Sequence, residues 1–302
     1  MNALIFGANG QDGYYLDELC KLKGIEPMGV ARSGHGITGN VSQYDQVEQL
    51  IKQYQPTYIF HLAANSTTRH DALFENHEAI STGTLNILEA VKRHSSDSKV
   101  FITGSGVQFK NTGIPISEND EFEANSPYSV ARIHSVYAAR YYRSLGIRAY
   151  VGYLFHHESP HRKASHVSKM VATAAQRIDA GSSEVLEIGD ISVRKEWTYA
   201  RDVMQGAITL LDQDEVFEAT IGSGIAYSIE DWLEQCFTLT GRDWHDHVKL
   251  RPGFVSEYKQ LVSNPETINA VGWHSSTTLA DLARMMMQAE LSGGTSRHSR
   301  AN

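Results

Sequence analysis

The sequence predicts an α/β fold: a doubly wound parallel sheet followed by a smaller, discontinuous cap. Three observations lead there. Short apolar runs alternate with amphipathic helical runs from residue 3 to residue 154. The first such pair is joined by a glycine turn, Gly7-Ala8-Asn9-Gly10-Gln11-Asp12-Gly13. From about residue 156 the alternation loosens into shorter patterns around a histidine-rich loop.

Residues 3–6 form an apolar run too short for a helix and read as the first strand. Residues 14–24 carry Leu16, Leu19 and Leu22 on one helical face, basic residues in the last turn and a glycine stop. Between a strand and a helix each glycine has a physical task. Gly7 permits the tight turn, Gly10 lets a pyrophosphate approach the backbone, and Gly13 lets the helix pack on its strand. Phosphate oxygens then meet the free N–H groups of the helix N-terminus. The turn therefore predicts a Rossmann-type dinucleotide site.

Residues 26–32 read as the second strand, whose end selects the cofactor. A carboxylate there takes the ribose hydroxyl of NAD, whereas a cation takes the 2′-phosphate of NADP. The end reads Ala31-Arg32-Ser33, so Arg32 predicts NADP, with NAD the second choice. Residues 34–46 read as a Gly- and Asn-rich loop, and 47–54 as a short helix stopped by Pro56. Residues 58–64 make another buried strand that ends in Leu62, Ala63 and Ala64 beside the expected pyrophosphate. Residues 76–94 read as a long helix with Ile80, Leu85, Ile87, Leu88 and Val91 on its apolar side. A strand over 100–103 ends in Gly104-Ser105-Gly106, and a polar loop covers 110–126. A helix starts at Pro127, a favoured first-turn residue, and runs to Ser144; residues 148–154 add one more strand.

Residues 1–155 are thus expected to form the dinucleotide-binding domain, to which later segments can return. Residues 156–291 form mainly the cap, with helices near 165–180, 201–212, 228–240 and 278–290. Residues 292–302 have the composition of a disordered tail.

Composition narrows the function. The chain has 302 residues, 41% hydrophobic and 21% charged, as in ordinary globular proteins. A net charge of −8 argues against nucleic acid or an anionic membrane as partner. Two cysteines, Cys20 and Cys236, cannot build a disulfide framework. With no long apolar run and no leader-like start, the expectation is a cytoplasmic protein without a membrane segment. His156, His157, His161, His166, His245 and His247 match no standard metal spacing, so no metal is expected.

Tyr128 and Arg132 stand four apart on one helix and share a face. Ser105 stands at the carboxyl end of a strand, where ligands bind in such sheets. A phenol can move a proton while hydride moves to or from a nicotinamide, provided a fixed cation favours its anion. A serine hydroxyl can hold the substrate oxygen in line.

The chain resembles the extended short-chain dehydrogenases/reductases that modify nucleotide sugars, in their GDP-mannose 4,6-dehydratase branch. The resemblance rests on the turn ending in Gln11-Asp12-Gly13, on Leu62-Ala63-Ala64-Asn65-Ser66, and on Ser126-Pro127-Tyr128-Ser129-Val130-Ala131-Arg132. It continues through Leu154-Phe155-His156-His157-Glu158-Ser159-Pro160, Arg194-Lys195-Glu196-Trp197, Arg251-Pro252 and Gly272-Trp273, covering the chain to about residue 290. It implies Tyr128 as the catalytic tyrosine, with Ser105 and Arg132 beside it. Cofactor contacts would come from Gly7, Asn9, Gly10, Gln11, Asp12, Gly13, Arg32, Asn40, Val41, Leu62, Ala63, Ala64 and Leu154, with Tyr128 and Arg132. A nucleotide-diphosphate sugar, GDP-linked by resemblance, would meet Ser66, Ser105, His156, Val167, Arg194 and Arg251. Family members pair through two long helices, here 76–94 and 127–144, so a homodimer or homotetramer is expected.

The departures bear on the reaction. The family's lysine four after the tyrosine is Arg132, which keeps the charge in a bulkier, forked group. The glutamate that takes a proton during water elimination is Val107. The asparagine after Leu-Phe is His156, and a nucleotide-contacting lysine and glutamate become Met170 and Phe254. Three readings stay open: a reductase or epimerase acting at C4 or C3 of the sugar; a 4,6-dehydratase using another base; and a catalytically weak nucleotide-sugar-binding partner subunit.

Overall fold

A computed structural model describes residues 1–34 and 36–288. The tail expected over 292–302 lies outside the described residues.

The chain opens with β1 (Asn2–Phe6), α1 (Gln11–Leu22), β2 (Glu26–Ala31), β3 (Ile37–Thr38), α2 (Tyr44–Tyr54) and β4 (Tyr58–His61). It then runs through α3 (Leu73–Asn76) and α4 (Gly83–His94), β5 (Lys99–Ser105), α5 (Pro127–Ser144) and β6 (Arg148–Leu154). The later elements are β7 (His157–Glu158), α6 (Val167–Asp179), β8 (Leu186–Ile188), β9 (Arg194–Glu196), β10 (Thr198–Tyr199) and α7 (Ala200–Leu211). β11 (Glu218–Ile221), β12 (Ala226–Ser228), α8 (Ile229–Thr238), β13 (Val248–Leu250), β14 (Gln260–Leu261), α9 (Glu266–Ala270) and α10 (Leu279–Gln288) complete it.

Seven strands pair in parallel in the order β11-β6-β5-β4-β1-β2-β3. Their side chains alternate between two cores, as the strand period requires. Leu4, Phe6, Val100 and Ile102 pack with α2, α4 and α5, while Ala3, Ile5 and Phe101 pack with α1 and α7. A third core lies in the cap, where Trp232 and Trp197 stack at 4.8 Å among residues of α6, α8 and α10. Strand order reverses between β1 and β4, and the carboxyl ends there frame the crevice that takes ligands in such sheets. β11 returns from the cap region to the sheet edge, and α7 covers it. Among the described residues no helix is long and apolar enough to cross a membrane.

Several boundaries differ from the sequence reading. α2 starts at Tyr44, and the expected 34–46 loop contains β3, paired with Val30 and Ala31. The helix expected from 76 starts at Leu73 and widens into a π turn over His77–Thr82. There the Ile80 carbonyl takes hydroxyl bonds from Thr84 (2.7 Å) and Ser135 of α5 (3.2 Å), which sequence periodicity does not encode. Leu85, expected on the apolar side, is exposed, while Thr84 is buried. The 110–126 loop is pinned by isolated bridges, Phe109 to Phe122 and Ile116 to Ser263.

Candidate active site

The glycine turn fits a dinucleotide. Gly7 has φ +94°, and a Cβ there would lie 2.7 Å from the Ala63 nitrogen. At Gly13 a Cβ would lie 2.5 Å from the Ala8 carbonyl oxygen, so helix and strand meet at a distance only glycine allows. At Gly10 a Cβ would meet only the Gly7 oxygen, at 3.6 Å, so that face is open. Gly10 is also the N-cap of α1 and supplies no side-chain cap, leaving the first-turn N–H groups to a ligand. Asn9 ties the turn to the end of β2 by donating to the Ser33 carbonyl at 2.7 Å. Leu62 N donates to Phe6 O at 2.9 Å, which brings Leu62, Ala63 and Ala64 beside the turn.

Arg32 stands exposed beyond β2, 3.5 Å from Glu75. Asn40 and Val41 lie past the outer strand β3. The Asn40 side chain accepts from the amide and hydroxyl of Ser42, and Val41 is buried with its carbonyl bonded to Asn86.

Tyr128 and Arg132 pair near the carboxyl end of β5, where Ser105 stands. Ser126 caps α5 through a reciprocal box with Ser129, and Pro127 fills the first turn, which fixes Tyr128 at the helix entrance. The Arg132 guanidinium lies 5.0 Å over the Tyr128 ring and donates to the Thr103 carbonyl at 2.5 Å. Thr103 in turn donates to the His61 carbonyl at 2.8 Å, so Arg132 is tethered to β4 and β5. Its Nε has no partner among the described residues. Ser105 pairs with Leu154 across the sheet and receives the amide of Gln108, whose side chain caps Ser105 N at 2.8 Å.

Val107 packs against the cluster of Ile80, Tyr128 and Ala131. It also lines a cavity of about 570 Å³, together with Thr68, Phe109, Ser126, Glu257 and Tyr258. Thr68 donates to Glu257 at 2.6 Å within this lining.

Outside this cavity, a second wall comes from the segment after β6 and from β9. His156 donates from Nδ1 to the Glu196 carbonyl (2.7 Å), and its Nε2 lies 2.9 Å from Lys195 Nζ and 2.8 Å from Glu158 Oε1. Burial and the Lys195 charge push His156 down to about 4, against the opposite pull of Glu158. Burial raises the Glu158 carboxyl, but His156, Arg162 and Lys195 outweigh it and hold the group below the usual range. Burial pushes Lys195 down to about 8, with Glu158 pulling upward and Arg162 downward. Lys195 and Arg162 therefore face one buried carboxylate, Glu158, and Lys169 donates to the nearby Pro160 carbonyl at 3.1 Å, so this wall is cationic in a chain of net charge −8.

The sequence reading missed Lys195, Glu158 and Arg162. It singled out Arg194, but strand alternation puts the neighbours on opposite sides. Arg194 is exposed and donates to the Ala226 carbonyl at 2.6 Å, whereas Lys195 is buried against His156. Once 194–196 is assigned as a strand, that alternation is the available signal. Val167 opens α6, Ser66 is exposed on the loop after β4, and Arg251 is exposed on the loop after β13. Where the family's polar nucleotide contacts are expected, Met170 packs on the cap core and the Phe254 ring closes on Gly189. Among the described residues no group of three or more His, Cys, Asp or Glu is disposed to hold a metal.

A sequence profile of the family described as GDP-mannose 4,6 dehydratase matches residues 4–286. GDP-mannose 4,6 dehydratase 1 of Arabidopsis thaliana is 27% identical over 324 residues, covering 96% of this chain and 89% of that protein. Among solved structures, RMD from Pseudomonas aeruginosa in complex with NADPH superposes with a TM-score of 0.83 at 20% identity. That match covers 95% of this chain and 97% of the other. The UDP-glucose 4-epimerase of Thermus thermophilus, solved with NAD, gives a TM-score of 0.79 at 20% identity over 95% and 98% of the two chains. At these identities the structural matches speak for the fold.

Proposed function

We propose that this chain, which belongs to the GDP-mannose 4,6 dehydratase family, is an NADP-dependent reductase or epimerase acting at C4 or C3 of a nucleotide-diphosphate hexose. One observation carries the choice of reaction. Arg132 overlies Tyr128 and bonds Thr103, two residues before Ser105, while Val107, which cannot take a proton, packs against Tyr128 and lines the neighbouring cavity.

The first-turn amides of α1, with Gly7, Gly10 and Gly13, would hold the cofactor pyrophosphate, and Arg32 would meet a 2′-phosphate. When bound, the nicotinamide supplies hydride acceptance and donation at a sugar carbon. The Tyr128 hydroxyl takes or returns the proton of the sugar oxygen, and Arg132 stabilises the phenolate from beside the ring. The Ser105 hydroxyl holds the sugar oxygen in line. The cationic wall of Lys195, Arg162 and Lys169 suits the diphosphate of the sugar nucleotide. Val130, Tyr137 and Tyr141 on α5 and Leu85 on α4 leave apolar surface exposed, which supports self-association through these helices.

A dehydratase is the second reading, and Glu123 and Glu257 on the wall of the same cavity favour it. Mass spectrometry of GDP-mannose incubated with the protein and NADP⁺ separates the two. A loss of about 18 mass units, one water, overturns the reductase or epimerase reading and makes Glu123 and Glu257 the candidates for the base. Turnover that appears only with a 4-keto sugar nucleotide and NADPH supports it. Cofactor binding with no product under either condition leaves the partner-subunit reading in its place.

A further inference from the structure

Next to His156, whose Nε2 lies between Lys195 Nζ at 2.9 Å and Glu158 Oε1 at 2.8 Å, stands a second histidine, and this one faces acceptors alone. The His157 Nδ1 lies 2.7 Å from the Phe155 carbonyl oxygen, and its Nε2 lies 3.0 Å from Asp12 Oδ1. Both oxygens only accept, and a neutral imidazole has a single N–H. The two contacts are hydrogen bonds together only when the ring carries both protons. Asp12 is the second residue of α1, two beyond Gly10, where the helix offers its amides to a pyrophosphate. A carboxylate is stabilised at a helix N-terminus in an empty site, but it repels an anionic ligand bound there.

The surrounding bonds make the contact a fixed part of the site. Gln11 donates to the His157 carbonyl at 3.3 Å and accepts from the Ser159 hydroxyl at 2.9 Å. His157 pairs with Thr198 of β10, so the same residue joins the cofactor turn to the cap. The other charged groups facing the pair are Arg162, from the turn after β7, and Arg132, from α5.

We propose that His157 is a positioning residue for the cofactor. As an imidazolium it cancels the Asp12 carboxylate at the start of α1, so that a dinucleotide pyrophosphate meets no net negative side chain there. Loss of the His157 proton exposes that charge and weakens cofactor binding. The inference rests on the dinucleotide reading of the glycine turn.

The directions of titration agree with this geometry. Burial works against the His157 charge, but Asp12 outweighs it and raises the group above its ordinary value. Burial also works against the Asp12 charge, yet His157, Arg162 and Arg132 hold that carboxyl below its usual range. Both directions favour the doubly charged pair, and it fails on the alkaline side, where the raised histidine releases its proton.

The test is NADPH binding, followed by fluorescence without sugar nucleotide, at pH values from about 6 to about 9, the span that brackets a raised histidine. Wild type should bind more weakly as pH rises. His157→Gln should weaken binding about tenfold at the acid end, where one like charge is unmasked, and should flatten the pH profile. The double variant Asp12→Asn/His157→Gln should recover most of that loss, because the charge to be cancelled is gone. Asp12→Asn alone should bind well without the alkaline decline, and it covers the case in which His157→Gln folds poorly. In the free protein, the His157 ring titration followed by NMR should move down in Asp12→Asn. An unchanged pH profile in His157→Gln, or a double variant as weak as the single one with both folded by thermal melting, overturns the proposal. A wild-type chain that binds no NADPH overturns the dinucleotide reading, and the proposal falls with it.

Discussion

On the α1 side of the crevice, the groups offered to a ligand are backbone amides, held in place by Gly7, Gly10 and Gly13. Next to them the groups are side chains drawn from separate parts of the chain: Arg132 from α5, His156 and Arg162 from the segment after β6, and Lys195 from β9. The amides of the first wall do not titrate, although the Asp12–His157 pair at the start of α1 does. The second is a set of coupled charges in which each group's state depends on its neighbours, as the low His156 and Lys195 values show. A chain can exchange groups on such a wall one at a time, here Val107 and Arg132, while the amide wall stays fixed by geometry.

If the side-chain wall carries the chemistry, Tyr128→Phe produces the largest effect. It removes the proton donor and keeps the ring that Arg132 overlies. Turnover of the accepted sugar nucleotide should fall about a thousandfold, while NADPH fluorescence still reports binding. Survival of turnover would break the comparison, because the proton would have to come from elsewhere on the wall, with His156 the first candidate.

The amide wall predicts a different pattern, one that depends on which glycine changes. Gly13→Ala forces a Cβ to 2.5 Å from the Ala8 oxygen and 2.6 Å from its Cα, both backbone atoms unable to rotate away. It should cost about 2–3 kcal/mol of stability, seen as a lower melting temperature. Gly10→Ala meets only the Gly7 oxygen at 3.6 Å, so its melting should stay close to wild type while cofactor affinity falls. Equal melting losses for the two variants would mean that the open face at Gly10 is not a ligand surface.

This difference also governs what could be read from the amino-acid order. Gly7, Gly10 and Gly13 announce themselves because strand, turn and helix are contiguous, and backbone geometry admits no other residue at Gly7 and Gly13. Tyr128 and Arg132 share one helix, so their spacing alone brings them together. Lys195 and His156 are 39 positions apart, one on β9 and the other just before β7, strands of two small sheets that no local pattern marks. The π turn at His77–Thr82 was equally hidden, since it answers to hydroxyls on α5 and within α4. Arg194 illustrates the remaining gap: a one-residue difference along a strand separates an exposed cation from a buried one.

Lys195 gives the smallest effect and the sharpest separation of binding from stability. Its charge is buried, so below its value of about 8 the folded chain holds a costly ammonium, whereas the unfolded chain ionises freely up to about 10.5. Between those values the unfolded state binds more protons, so stability rises with pH, by up to about 3 kcal/mol from this group. Affinity for a diphosphate should move the other way, because the ammonium that attracts it is being lost. Lys195→Met removes the charge at similar length. It should weaken binding of GDP about tenfold near pH 7, measured by calorimetry, and leave the variant at least as stable as wild type there. The wild-type and variant binding curves should converge above about pH 9, where both side chains are neutral. A variant that loses stability at neutral pH while keeping its GDP affinity would make Lys195 part of the scaffold, and the cationic wall would then rest on Arg162 and Lys169 alone.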